Sequence, residues 1–70
     1  NMIVIKDGVS YRIMELPLVY AVCKKHIGTK LVTRGASLNN FATAIYNCNA
    51  LNKESDGSVR YYVICEIKED

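Results

Sequence analysis

The nine residues VRYYVICEI, 59 to 67, limit the fold more than any other stretch of the chain. They are rich in β-branched and aromatic residues, which suit a pleated, half-buried surface. Side chains alternate along a strand. Val59, Tyr61, Val63, Cys65 and Ile67 therefore face one way, and Arg60, Tyr62, Ile64 and Glu66 the other. The first set needs an apolar cover.

That cover is found just upstream. Leu38, Phe41, Ala42, Ile45 and Cys48 recur at three- and four-residue spacing, which predicts a helix over 37–52 with Ser37 as its N-cap. Asn39, Asn40, Thr43 and Asn47 fall on its opposite side, and NKESDGS reads as the loop that follows.

Residues 2 to 16 read as a hairpin. MIVI and VSYRIMEL are extended runs, and Lys6-Asp7-Gly8 supplies the turn. Pro17 cannot donate to a ladder and ends the second run. Residues 18 to 28 admit two readings. Pro17 could open a helix closed by Gly28. The content of Val19, Tyr20, Val22 and Cys23 favours a strand over 18–24 instead. A loop at His26-Ile27-Gly28 would then lead to a strand over 30–34. Setting Lys24 opposite Lys30 brings Val22 to Val32 and Tyr20 to Arg34, all on one face, with Ala21, Cys23, Leu31 and Thr33 on the other. The expected fold is α+β: one domain, residues 1–70, with an antiparallel sheet of four to five strands and one helix packed on one face. Asn1 before Met2 reads as a residue left by tag removal and is set aside.

Half of the seventy residues are apolar or aromatic, the composition of a compact domain rather than a disordered one. At this length folding buries only about 60% of the unfolded surface, so the core is small. The longest apolar runs fall far short of the roughly 20 residues that span a bilayer, and no secretion signal is visible. Cys23, Cys48 and Cys65 are odd in number, widely spaced and set among apolar neighbours, which argues against a disulfide framework and for a reducing cytoplasm.

Cys23 and His26 form a C-x-x-H pair that Cys48 and Cys65 could extend to four zinc ligands. Zinc sites are usually signalled by two close pairs, and only one is present. In a continuous strand residues 23 and 26 also point to opposite faces. The same pair could be a nucleophile and base, but no nearby carboxylate is available to orient His26. No glycine-rich phosphate loop or carboxylate cluster occurs. The expectation is buried structural thiols, no cofactor, no metal and no enzymatic activity.

Charge gives the strongest functional signal. The seven acids are Asp7, Glu15, Glu54, Asp56, Glu66, Glu69 and Asp70, and none lies between residues 16 and 53. That window holds Lys24, Lys25, Lys30, Arg34 and Lys53, a local positive field despite a net charge of only +2. With a helix on one side of the sheet, the other face would present Tyr20, Lys24, Lys30 and Arg34 with Arg60 and Tyr62, and Lys25 close by. Cations with interleaved tyrosines suit an acidic protein surface or a nucleic acid. The bland alternative is a solvated face whose lysines guard the sheet edge. A second candidate surface is the helix exterior. No charge occurs from Ala36 to Asn52, and Tyr46 lies there, as suits an interface core.

The segment TRGASLNNFATAIYNCNALNKESDGSVRYYVICEI resembles the second half of many small phage and prophage proteins. These run strand, helix ending in Leu-Asn, polar loop, then a Tyr-rich strand closing on an acid and Ile, here Leu51-Asn52, Tyr61-Tyr62 and Glu66-Ile67. The resemblance covers about half the chain. It implies a ββαβ-type fold and a viral origin, in families that include host-takeover inhibitors and anti-CRISPR proteins. The three-stranded DNA-binding domains of phage integrases and plant ethylene-response factors are similar in topology, but this chain lacks their fuller arginine and tryptophan set. The expectation is a phage-encoded binding protein in the host cytoplasm. Its partner is a host protein with an acidic surface or a nucleic acid, with no membrane role. A homodimer pairing through the open face is a further class.

Overall fold

A computed structural model describes residues 3–12 and 16–68. It is a small α+β protein with the order β1 (Ile3–Lys6), β2 (Val9–Arg12), β3 (Leu18–His26), β4 (Val32–Arg34), α1 (Phe41–Glu54) and β5 (Val59–Ile67). The five strands divide between two antiparallel sheets, β1-β2 and β4-β3-β5, with the helix packed on the second. No helix among the described residues is long and apolar enough to cross a membrane.

The first hairpin turns at Asp7-Gly8, where both residues take positive φ, 52° and 77°. That is the two-residue turn whose twist matches paired strands. The expected continuation through residues 13 to 15 lies outside the described residues. Residues 18 to 26 are strand and not helix. β3 lies between two neighbours, running from Leu18 opposite Ile67 to His26 opposite Val59. Val59–Ile67 forms β5 with the bounds read from the sequence.

The β3–β4 register differs from the expectation. Cys23 pairs with Arg34, Lys24 with Thr33 and Lys25 with Val32. The loop is responsible. Thr29 Oγ1 donates to the His26 carbonyl at 2.8 Å and accepts from Leu31 N at 3.1 Å, while His26 N donates to Leu31 O at 3.1 Å. Gly28 supplies φ 81°. The closure falls at His26 and Leu31, which leaves Lys30 in the turn. An odd shift in register exchanges the faces of every β4 residue.

The helix also starts later than Ser37 suggests. Leu38 and Tyr20 exchange two backbone hydrogen bonds, 2.7 and 2.8 Å, so residues up to 38 follow the edge of β3. Ser37 Oγ instead accepts from Arg34. The N-cap is Asn40, whose Oδ1 accepts from Thr43 N at 3.0 Å. The buried stripe moves with it: Ala44 and Cys48 are buried, whereas Ala42 and Phe41 are exposed. At the other end the helix runs two residues past the expected Asn52, through Lys53 and Glu54, and Ser55 closes it.

Two local devices tie these elements together. Gly35 N donates to Val22 O, and the next contact on that edge pairs Tyr20 with Leu38, so one extra residue bulges out between them. A Cβ on Gly35 would lie 2.7 Å from the Val22 carbonyl oxygen. At the far side, Tyr61 turns its backbone groups away from β3. Asn52 answers both: Oδ1 accepts from Tyr61 N at 2.8 Å and Nδ2 donates to Tyr61 O at 2.9 Å. The helix is thereby stapled to the sheet edge by one amide side chain.

Among the described residues the buried core is Leu16, Val19, Ala21, Cys23, Ala44 and Cys48, most of them small. With so little apolar burial, the stapling bonds carry weight. Asn52→Asp keeps the shape but removes the donor to Tyr61 O, and Asn52→Ala removes both bonds. Each should lower unfolding free energy by about 1–3 kcal/mol in urea denaturation. Gly35→Ala should cost a similar amount, about 1–3 kcal/mol, because a backbone carbonyl rather than a flexible side chain obstructs the methyl group. Wild-type midpoints for these variants would refute the assignment.

Candidate binding face

The rings of Tyr20 and Phe41 meet at 5.2 Å between centroids, tilted by 54°. That contact shows which side of the sheet the helix covers. By alternation Leu18, Tyr20, Val22 and Lys24 of β3 share this side with Val59, Tyr61, Val63, Cys65 and Ile67 of β5. The seat expected for the helix on β5 is the observed one.

The opposite face carries Val19, Ala21, Cys23 and Lys25 in its centre, Arg60, Tyr62, Ile64 and Glu66 along β5, and Val32 and Arg34 along β4. Of the seven residues expected on a common site, Lys25, Arg34, Arg60 and Tyr62 lie here. Tyr20 does not, because it is on the helix side against Phe41. Lys24 is also on the helix side, half-buried, between Thr33 and Tyr61. Lys30 sits in the turn, outside the strands. The expected Lys24–Lys30 cross-strand pair does not exist.

Another like-charge pair takes its place. Lys25 stands directly opposite Arg60, both exposed. No acid lies within ion-pairing reach of either among the described residues. Facing cations are destabilising by a few tenths of a kcal/mol. Val32, opposite Lys25 on its other side, and Tyr62, two residues from Arg60, add exposed apolar and aromatic area.

Arg34 is held differently. Its Nε donates to Glu66 Oε1 at 3.1 Å, and Nη2 bonds the same oxygen and Ser37 Oγ. Nη1 donates to the Gly35 carbonyl at 2.9 Å. Arg34 lies opposite Cys23 and Glu66 opposite Val19, so this bridge crosses β3 diagonally over Ala21. That explains how three short side chains are buried on a face with no helix above them. Alternation along β5 already placed Glu66 on this face. The reach of Arg34 to it depends on the β4 register, which spacing alone did not fix.

Cys23 and His26 lie on opposite faces of β3. No group of three or more His, Cys, Asp or Glu side chains among the described residues could hold a metal ion. Cys23 and Cys48 are buried free thiols, but Cys65 is exposed, contrary to the expectation for all three, because its place on β5 leaves it uncovered. Among exposed apolar side chains, Phe41 and Tyr46 stand out on the part of the helix that precedes Lys53 and carries no charge. Searches of protein-family models, curated proteins and solved structures find no match for this chain.

The Arg34 bridge can be divided experimentally. Glu66→Gln should cost less than about 1 kcal/mol, because both side chains are more than a third exposed and solvent screens the pair. Arg34→Ala should cost more, because it also uncovers Ala21 and Val19. Equal losses in urea denaturation would show that Arg34 contributes charge alone.

Proposed function

We propose that this is a non-enzymatic binding protein that engages an acidic surface on a host macromolecule through the sheet face opposite the helix. The observation that carries this reading is the Lys25–Arg60 pair. Two exposed cations face each other across adjacent strands, without an acid and without benefit to folding. A carboxylate between them would turn repulsion into attraction. Val32 and Tyr62 supply contact area beside the charge. Arg34 is occupied by Glu66, so it positions the face more than it adds potential.

A protein partner fits better than a nucleic acid. Tracking a phosphate backbone takes many cations. Here two unpaired ones share the face with the Glu66 carboxylate. The second reading, a nucleic-acid module, is supported by exposed Tyr62 beside Arg60, a ring on which a base could stack. The phage-like arrangement of the second half of the chain supports a viral protein that inhibits or redirects its target.

The test is the double variant Lys25→Glu, Arg60→Glu. Folding stability should stay within about 0.5 kcal/mol of wild type, as for other exposed substitutions. Capture of partners from nuclease-treated bacterial lysate should be lost, because the reversed sign opposes docking. Retention of the same partners by both proteins would overturn the reading. Loss of capture on nuclease treatment alone, with a steep salt dependence, would move it to nucleic acid.

A further inference from the structure

The outer edge of β5 is closed over only part of its length. Val59, Tyr61, Val63, Cys65 and Ile67 turn their backbone groups away from β3, as the bonding of Tyr61 shows. Ser55 Oγ donates to Val59 O at 2.7 Å, and Asn52 takes both groups of Tyr61. Beyond that point nothing among the described residues pairs with the outward N–H and C=O of Val63, Cys65 and Ile67. Proteins normally blunt such an edge with lysine, proline or a bulge. VICEI contains none of these, and its one charge, Glu66, is held on the far face by Arg34 of the same chain.

We propose that a second copy of this chain pairs with this edge, joining two three-stranded sheets into one of six strands. The free window is symmetric about Cys65. Antiparallel pairing on a two-fold axis there sets Val63 against the second copy's Ile67 and Cys65 against the second copy's Cys65. Each such pair exchanges two hydrogen bonds, so every free group is used. A register centred on Val63 would instead need the Tyr61 groups that Asn52 already holds.

The side chains agree with the same register. On the far face Lys68 comes opposite the second copy's Tyr62, and Glu66, held by its own Arg34, comes opposite the second copy's Ile64. No like charges stand directly across from each other. Cys65, exposed and short, sits on the axis and leaves room for its twin. This surface is separate from the Lys25–Arg60 pair, so it stands or falls independently of the binding reading.

Sedimentation equilibrium of the reduced protein should show mass rising with concentration from 7.9 kDa towards twice that value. A short bis-maleimide should link two chains through Cys65, and Cys65→Ser should keep the association while losing the link. Cys65→Lys, an exposed change that sets two cations on the axis, should leave the monomer folded and weaken association at least tenfold. A monomer at millimolar concentration would overturn the proposal and leave the edge to a foreign strand. So would a dimer that Cys65→Lys does not weaken, or one linked through other positions.

Discussion

One amide side chain decides how this sheet and helix sit together. Asn52 reads the edge of β5 as another strand would, giving Tyr61 an acceptor for its N–H and a donor for its C=O. Hydrogen bonds of this kind add only about 1 kcal/mol each to folding. Their importance here lies in geometry. They bring the helix C-terminus to the free edge, so that the helix crosses from Tyr20 and Phe41 at one side of the sheet to Tyr61 at the other. They also divide the edge into a satisfied part and an open part. An apolar residue at position 52 could fill the same volume and would do neither.

The second governing constraint is the four-residue turn around Thr29. It fixes where β4 begins, and strand alternation then fixes which side Arg34 occupies. Lys24 and Lys25 are neighbours in sequence yet lie on opposite sides of the sheet, one beside the helix and one on the open face. The concentration of positive charge in this part of the chain is a property of the sequence. The pairing of Lys25 with Arg60 is a property of the register. Arg34 is diverted into a structural role, roofing the small central side chains with help from Glu66.

Much of the architecture was legible because the relevant signals are local. Asp7-Gly8 announces its turn, VRYYVICEI its strand, and the β-branched content of residues 18 to 23 outweighs the helix reading that Pro17 and Gly28 invite. What was not legible depends on contacts distant in sequence. Ser37 is a better N-cap by residue type than by circumstance, because Tyr20 draws Leu38 into the sheet and moves the start of the helix to Asn40. The cross-strand pairing was set by a threonine hydroxyl that composition does not distinguish from any other. The turn around Thr29 puts Arg34 on the open face and leaves Lys30 outside the strands, whereas the pairing of β3 with β5 puts Lys25 with Arg60 and Tyr62 and leaves Tyr20 and Lys24 on the helix side.

The position of β3 also dictates an order of assembly. Its partner on one side, β4, is reached through a short turn and can form at once. Its partner on the other, β5, arrives only after the helix, and pairing Leu18 with Ile67 closes most of the chain into a loop. Loop closure is entropically costly until the contacts that reward it exist. With a core of alanines, cysteines and a few aliphatics, collapse alone provides little reward. Docking of the helix must therefore accompany the zipping of β3 to β5, which makes this fold slower to form than its size suggests.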